Sequence, residues 1–306
     1  MNRRTFLFRS FGLALAVYSA PAISPLRAAS LSGDPLERIA LGTLLFRYRF
    51  KQTKPKELPV IKDELTLLDV PGFYRDRFGI RKIEFWNEHF ESLKPSYLKL
   101  IKSKIKATGS ELVNVQIDRI SYDLASPDEA VRLKSLKDVK EWIDAVSFLE
   151  SKFIRINPGR LSGSLEKSIE SLKELGAYAR AKNLKIITAN HFGIEMDPGK
   201  HVQIVKGAGE NVYTEPDFGN YPHDSALLDK LKKIIPYAGV VSAKVCDFNG
   251  ELKHISYDFD ACVRLCETLG FKGVYMAAQW SGTFQNIDYS KVADWVIAHL
   301  KQNIRA

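Results

Sequence analysis

The feature that most constrains the fold is a regular alternation of short apolar segments with longer amphipathic ones. The apolar segments are rich in Val, Ile and aromatic residues without strict polar alternation, which is typical of strands covered on both faces. They predict strands at 39–46, 80–86, 112–117, 153–157, 184–189, 212–215, 240–245 and 273–278. Strands separated by helices indicate right-handed β-α-β units and therefore a parallel sheet.

Helix start and stop signals fall between these segments. The sequence SPDE at 126–129 has the spacing of a capping box and predicts a helix that runs to about Glu150. Further helices are predicted at 68–78, 96–108, 164–183, 225–235, 256–270 and 289–300. The polar segment 51–64 is interpreted as a long loop after the first strand, and such loops build the active sites of barrels.

The number of units favours a closed barrel over an open sheet. Eight strands with their helices fit a (β/α)8 TIM barrel, formed as a single domain by residues 30–306. The alternative is an open, doubly wound sheet. A dinucleotide-binding sheet of that kind carries a glycine fingerprint after its first strand, and the sequence LGTL at 41–44 is not one.

The N-terminus, residues 1–29, has the pattern of an export signal. Arg3 and Arg4 precede an apolar stretch at 11–22, and the sequence APA at 20–22 fits a signal-peptidase site. We expect a twin-arginine signal peptide that is cut near residue 22 or near 28–29, and hence a bacterial periplasmic or other extracytoplasmic protein. A basic helix packed on the domain is the alternative. No apolar run reaches the ~20 residues of a spanning helix, so no membrane span is expected after cleavage.

The charge pattern argues against nucleic-acid binding. The net charge of +9 falls to +6 when cleavage near residue 22 removes three arginines, and to +5 when Arg27 is removed as well. The remaining basic residues are interspersed with acidic ones, as in KSLKDVKE at 134–141, which is typical of a solvated helix face. Three cysteines exclude a disulfide scaffold and a four-cysteine zinc module.

Polar side chains follow most of the predicted strands, and the carboxyl ends of barrel strands form the active site. Candidate catalytic residues are Asp217, His191, Lys244 and Glu84. Candidate substrate-binding residues are Arg155, Asn157, Asn190, Asn220 and Gln116. For Lys244 and Glu84 the structural alternative is a buried ion pair, and for Asp217 it is a turn that its own side chain stabilises. Because amides and carboxylates bind hydroxyl groups, the set predicts a small carbohydrate ligand.

Several short motifs at the strand ends resemble one known superfamily. They are NHFG at 190–193, PDFGN at 216–220, SAK at 242–244, GFKG at 270–273 and QWSG at 279–282. Together they resemble the xylose isomerase-like TIM barrels, and more closely the sugar phosphate isomerase/epimerase group, many members of which carry twin-arginine signals. The resemblance covers residues 39–300 and places Gln279 and Trp280 in the lining of the pocket.

The resemblance also implies a divalent metal, such as Mn²⁺, Mg²⁺ or Zn²⁺. In that family the metal commonly lies among a Glu on strand five, an Asp on strand six, a His on strand seven and a Glu on strand eight. Here Ala189 stands at the first position, Asp217 at the second and Gln279 at the fourth, while the third falls in SAK at 242–244. Asp217 is thus the one matching ligand, and the implied site is partly lost.

Three functions are compatible with these residues. The first is an exported sugar isomerase or epimerase that acts on a free sugar or sugar derivative. The second is a metal-free lyase or hydrolase of keto-sugars or glycosides. The third is a sugar-binding barrel without catalysis. Ala189 and Gln279 count against an unmodified isomerase site, whereas the many polar residues at the strand ends count against a purely structural barrel.

Overall fold

The protein forms a barrel of eight parallel strands in a computed structural model that describes residues 33–58, 60–118, 121–282 and 284–305. The strands are β1 Ile39–Gly42, β2 Lys82–Trp86, β3 Glu111–Ile117, β4 Phe153–Ile156, β5 Lys185–Ala189, β6 Val212–Glu215, β7 Val241–Val245 and β8 Tyr275–Gln279. They pair in the order β6-β5-β4-β3-β2-β1-β8-β7. The predicted (β/α)8 barrel is confirmed, while the predicted signal peptide at 1–29 lies outside the described residues.

A helix follows each strand and covers the outside of the barrel. The helices are α1 Val70–Phe78, α2 Pro95–Ala107, α3 Glu129–Phe148, α4 Leu165–Arg180, α5 Pro198–Ala208, α6 Leu227–Ile234, α7 Phe259–Thr268 and α8 Tyr289–Asn303. The pattern did not predict α5, whose sequence contains Gly199 and Gly207 and therefore has weak helix propensity. Asp197 caps this helix by accepting a hydrogen bond from the Lys200 N–H at 2.9 Å. Among the described residues, no helix has the length and apolar character needed to cross a membrane.

Two predicted boundaries differ from the structure for local reasons. The first strand ends at Gly42 rather than at 46, because the next residues form a 3-10 helix, Thr43–Arg49. The Thr43 hydroxyl accepts a hydrogen bond from the Trp86 N–H at 2.9 Å, which fixes this departure from the sheet. Helix α3 begins at Glu129 and is capped by Asp128, which accepts hydrogen bonds from two N–H groups of the first turn, so the predicted start at 126 was too early.

The barrel closes through a seam between β6 and β7, which share no continuous ladder. Two isolated parallel bridges join them, Thr214 to Ala238 and Asp217 to Ser242. Backbone hydrogen bonds accompany the bridges, including Ser242 N–H to the Pro216 carbonyl at 3.0 Å. The seam therefore brings the chain that follows β6 against the middle of β7.

The interior of the barrel is layered along its axis. A cluster of buried apolar side chains fills the end of the barrel nearer the strand N-termini. It consists of Ala40, Val113, Phe153, Ile187, Val240 and Met276. Arg155 lies two residues beyond Phe153 on β4, and Glu84 on β2 and Glu215 on β6 are further charged residues buried within strands of the barrel. This order leaves polar chemistry at the carboxyl ends of the strands, where a TIM barrel places its active site.

Candidate active site

A cavity of about 370 Å³ opens at the carboxyl ends of the strands. Eight of the predicted site residues line it: Gln116, Arg155, Asn157, His191, Asp217, Asn220, Lys244 and Trp280. Leu44, Trp86, Asp118, Tyr122, Arg160, Phe192 and Ser242 also line it. The described part of the predicted loop 51–64 contributes nothing to this lining, and Leu44, from the 3-10 helix before it, takes that place.

Three predicted site residues lie behind the lining, with their polar groups bonded to the protein. The Glu84 carboxylate accepts a hydrogen bond from the Asn114 amide at 2.7 Å. The Gln279 amide donates to the Cys246 carbonyl at 2.9 Å and accepts from the Arg47 guanidinium at 2.7 Å. Asn190 exchanges two hydrogen bonds with the backbone of Asp217, at 2.9 and 3.1 Å. Asn190 therefore fixes the position of Asp217 instead of facing the cavity.

Asp217 and Lys244 form a buried ion pair at the seam. The Lys244 Nζ lies 3.3 Å from Asp217 Oδ1, and both side chains are almost fully buried. Lys244 also donates a hydrogen bond to the Asn220 side-chain oxygen. The Ser242 hydroxyl donates to Asp217 Oδ2 at 2.8 Å, and the Gly219 N–H donates to Oδ1 at 2.9 Å. These contacts hold an ammonium group in one orientation at the cavity wall.

His191 enters the cavity from the end of β5. Burial lowers the pKa of His191 to about 4; the Asp118 carboxylate, 3.8 Å from Nδ1, opposes this shift, and the positive charges of Arg155 and Lys244 add to it. The imidazole is therefore neutral near pH 7 and can accept a proton.

On the cavity wall, Arg155 lies among four carboxyl groups. It pairs with Asp118 and its Nε lies 3.9 Å from Glu215 Oε2. Burial opposes ionisation of Asp118, yet the charge of Arg155 lowers the pKa of this carboxyl to about 2. Burial raises the pKa of both Glu84 and Glu215, and repulsion by neighbouring carboxylates, Asp118 and Asp217 at both and Glu84 at Glu215, adds to the shift. Two carboxylates close together do not both ionise, so this pair retains a proton at neutral pH.

Aromatic side chains form the opposite wall of the cavity. Trp86, at the end of β2, packs edge to face against Trp280, with ring centroids 6.4 Å apart. The guanidinium of Arg47 lies 4.9 Å from the Trp280 ring centroid. Such faces pack against the C–H surface of a sugar ring, while the polar wall on β3 to β7 faces its hydroxyl groups.

Several buried polar atoms of the lining lack a hydrogen-bond partner within the described chain. Four are donors, Trp86 Nε1, Gln116 Nε2, Arg155 Nε and Asn220 Nδ2, and one is an acceptor, Asn157 Oδ1. Buried polar groups in folded proteins are almost always satisfied by protein, water or ligand. Unpartnered donors and an acceptor around one cavity match a ligand with several hydroxyl groups.

The sequence and the fold match one known family. The chain matches the family described as xylose isomerase-like TIM barrel over residues 76–301. The protein belongs to the xylose isomerase-like TIM barrel family. No curated protein matches the chain significantly.

Solved structures of xylose isomerase-like barrels and related enzymes share the fold at low sequence identity. An L-ribulose 3-epimerase has a TM-score of 0.66 at 15% identity, covering 87% of this chain and 95% of its own. A xylose isomerase-like TIM barrel protein from Mycobacterium smegmatis, solved with magnesium, has a TM-score of 0.59 at 16% identity, covering 87% and 97%. The probable 3-DHS dehydratase AsbF involved in petrobactin synthesis from Bacillus anthracis has a TM-score of 0.60 at 13% identity, covering 86% and 97%.

The donors around Asp217 do not fit the divalent metal that membership of the xylose isomerase-like family implies. Among the described residues, no three His, Cys, Asp or Glu side chains converge as a metal cage. Both Asp217 oxygens already accept hydrogen bonds from the protein, and the Lys244 ammonium occupies the cation position beside Oδ1. We therefore derive no step through a metal.

Sequence reasoning did not select several residues that shape the site. Asp118 directly follows β3 and Trp86 is the last residue of β2, so their positions at strand ends were a usable signal. Arg47 and Glu195 gave no such signal, because each lies in a short 3-10 helix of a loop. Glu195 is fully buried, and burial raises its pKa to about 8.

Proposed function

We propose that the protein is a carbohydrate-modifying enzyme of the isomerase type, which moves a proton at a carbon beside the carbonyl of a free sugar. The observation that carries this proposal is the convergence of a neutral imidazole, His191, and a fixed ammonium, Lys244, on one cavity. The unpartnered amide and indole groups of the lining support a polyhydroxylated substrate. The epimerase neighbours support the reaction class at the level of the fold.

The proposed chemistry uses only side chains of this chain. Lys244 donates a hydrogen bond to the carbonyl oxygen of the open-chain sugar and stabilises the negative charge that develops there. His191 removes the proton from the neighbouring carbon; the C–H electron pair forms the new C=C bond, and the carbonyl π pair moves to oxygen. The proton of the neighbouring hydroxyl passes to the former carbonyl oxygen. Return of the carbon-bound proton from His191 to the former carbonyl carbon, with formation of the new C=O bond at the neighbouring carbon, completes an aldose–ketose isomerisation. Asp118, beside His191, stabilises the transient imidazolium.

The placement of the titratable groups favours isomerisation over epimerisation. Epimerisation removes a proton from one face of a carbon and returns one to the other, so it needs acid–base groups on both faces. In the described lining, the titratable side chains come from β3 to β7, whereas β1, β2 and β8 contribute Leu44, Trp86 and Trp280. One base on one face suffices to move a proton between adjacent carbons.

Solvent exchange of carbon-bound hydrogen tests the proposal directly. Mature protein is incubated in D₂O with a panel of aldoses and ketoses, and deuterium uptake next to the carbonyl is followed by NMR. We expect uptake and interconversion of one aldose–ketose pair. His191→Gln and Lys244→Met should each lower the rate by about 100-fold or more, whereas Lys230→Met, at the exposed Asp224 pair, should leave it unchanged.

Two further experiments, a pH profile and a chelation experiment, distinguish the role of His191 from that of Lys244. The rate should fall with acidification only near pH 4, because His191 must be neutral to accept a proton. The rate should survive chelation by EDTA, because Lys244 supplies the positive charge. A rate that disappears with EDTA and returns with Mn²⁺ would contradict the role of Lys244. Carbohydrate binding without any exchange would indicate the non-catalytic barrel.

A lyase acting on a keto-sugar is the second candidate. It begins with the same proton removal by His191 and continues with loss of a hydroxyl or alkoxide from the next carbon. The one-sided acid–base wall suits such an elimination equally well, and a dehydratase shares this fold. Deuterium uptake accompanied by an unsaturated product, detected by its ultraviolet absorbance, would favour the lyase over the isomerase.

A further inference from the structure

An aromatic ring stands exposed at the mouth of the cavity in an unfavourable backbone conformation. Phe192 lines the mouth, is 70% exposed and has φ of +58°. A side chain with a Cβ atom rarely adopts this left-handed conformation, and such outliers cluster at functional sites. Neither burial of the ring nor backbone preference explains Phe192, so its position requires another explanation.

The surrounding fold holds this conformation from both sides. The buried Glu195 Oε1 accepts hydrogen bonds from the N–H groups of His191 and Gly193, each at 3.2 Å. Gly193 also pairs with Arg160 in an antiparallel bridge. The residues before and after Phe192 are thus fixed together, which directs His191 into the cavity and the Phe192 ring to its rim. Glu195 is a positioning residue for both.

A second exposed aromatic residue borders the same opening. Trp280 is 43% exposed, and the Arg47 guanidinium stacked on its ring fixes its orientation. The unpartnered polar atoms are themselves buried, on Gln116, on the half-buried Trp86 and on their neighbours. The site therefore has a polar inner part for hydroxyl groups and an outer rim with aromatic faces.

We propose that Phe192 forms an outer subsite for a second sugar ring, so that the substrate class is a reducing disaccharide or the reducing end of an oligosaccharide. This inference rests on the proposed function, since the inner sugar must keep its free carbonyl for proton transfer. The outer ring, joined through a hydroxyl oxygen of the inner one, stacks its C–H face on the Phe192 ring. The strained turn is maintained because it presents that ring.

The test compares matched ligands by calorimetry. The probes are the monosaccharide that exchanges fastest with D₂O and the reducing disaccharides in which that sugar is the reducing unit. We expect wild-type protein to bind one disaccharide more tightly than the monosaccharide. Phe192→Ala should weaken disaccharide binding by about fivefold and change monosaccharide binding by less than about twofold. Leu161→Ala, which removes an equally exposed apolar side chain outside the lining, should change neither.

A second variant separates strain from binding. Phe192→Gly should raise the Tm by roughly 2 °C, because glycine adopts positive φ without penalty, and should weaken disaccharide binding as Phe192→Ala does. Equal disaccharide affinity in wild type and Phe192→Ala, with monosaccharide binding intact, would overturn the outer subsite alone. Absence of carbohydrate binding and of deuterium exchange by the wild type would overturn the proposed function and this inference with it.

Discussion

At the scale of single residues, neighbouring carboxyl groups of this site hold opposite protonation states for identifiable reasons. Asp118 faces Arg155, whose charge keeps its pKa low. Glu195 is fully buried and accepts hydrogen bonds from the backbone N–H groups of His191 and Gly193, so burial dominates and its pKa rises to about 8. A guanidinium neighbour thus decides which carboxyl remains ionised near pH 7. The same reasoning explains why His191 is neutral.

The raised pKa of Glu195 predicts a pH dependence of stability. The folded protein keeps this carboxyl protonated up to about pH 8, whereas the unfolded chain releases the proton near its ordinary pKa of 4.5. Glu195 therefore stabilises the fold below pH 4.5, and its contribution is lost as pH rises through 8. We expect Glu195→Gln, measured by urea denaturation, to gain stability relative to wild type over this range by on the order of 4 kcal/mol. For the control Glu57→Gln, at an exposed carboxyl, the difference in free energy of unfolding from wild type should not change with pH. A pH-independent difference for Glu195→Gln would contradict the raised pKa of Glu195.

At the scale of elements, the loops after β3, β4 and β5 pack so closely that glycine is required where they meet. A Cβ atom on Gly193 would lie 2.1 Å from the Gly159 carbonyl oxygen, and one on Gly159 would lie 2.2 Å from the Ala125 Cβ. Gly159 also has φ of +151°. This packing links the turn that carries His191 to the two preceding loops.

Substitution of one of these glycines tests the packing. Gly193→Ala should lower the free energy of unfolding by about 2 kcal/mol and reduce the exchange rate, because the His191 turn must shift. Gly72→Ala offers a matched control inside α1, where a Cβ would contact nothing within 4 Å. That control should be neutral or slightly stabilising. Equal behaviour of the two variants in thermal denaturation and activity would refute the close packing.

At the scale of the whole molecule, the eight-fold alternation predicted the barrel, and strand-end position predicted seven of the residues that line the cavity. Both follow from local patterns, since buried parallel strands are apolar and barrel sites lie at their carboxyl ends. Gln279 was assigned to the pocket lining by the family resemblance, and Asn190 was assigned to substrate because an amide at a strand end suits hydroxyl groups. Local sequence does not encode their partners, which lie 33 residues away at Cys246 and 27 at Asp217. Arg47 and Glu195 likewise gain their roles only through tertiary contacts.

Export of the protein remains a prediction from the first 29 residues. We expect the wild-type chain to accumulate in the periplasm as a shortened, folded product, because a twin-arginine signal carries folded proteins. Replacement of Arg3 and Arg4 by Lys should retain the full-length chain in the cytoplasm, as judged by fractionation and mass spectrometry. Replacement of Lys51 and Lys54 by Arg provides the control, because it also exchanges two basic residues without changing the charge but lies outside the signal. Unchanged location of the doubly substituted chain would disprove the signal.

The ion pairs of the cavity also have a consequence for the charge of the substrate. Each cation in the described lining already has its counter-ion: Lys244 has Asp217, Arg155 has Asp118 and Arg160 has Asp123. His191 adds no positive charge near pH 7. The cavity is therefore close to electroneutral, and a phosphate group would enter it without a free positive charge to receive it. A neutral sugar would disturb none of these pairs, so we expect the balance of charge to disfavour phosphorylated ligands.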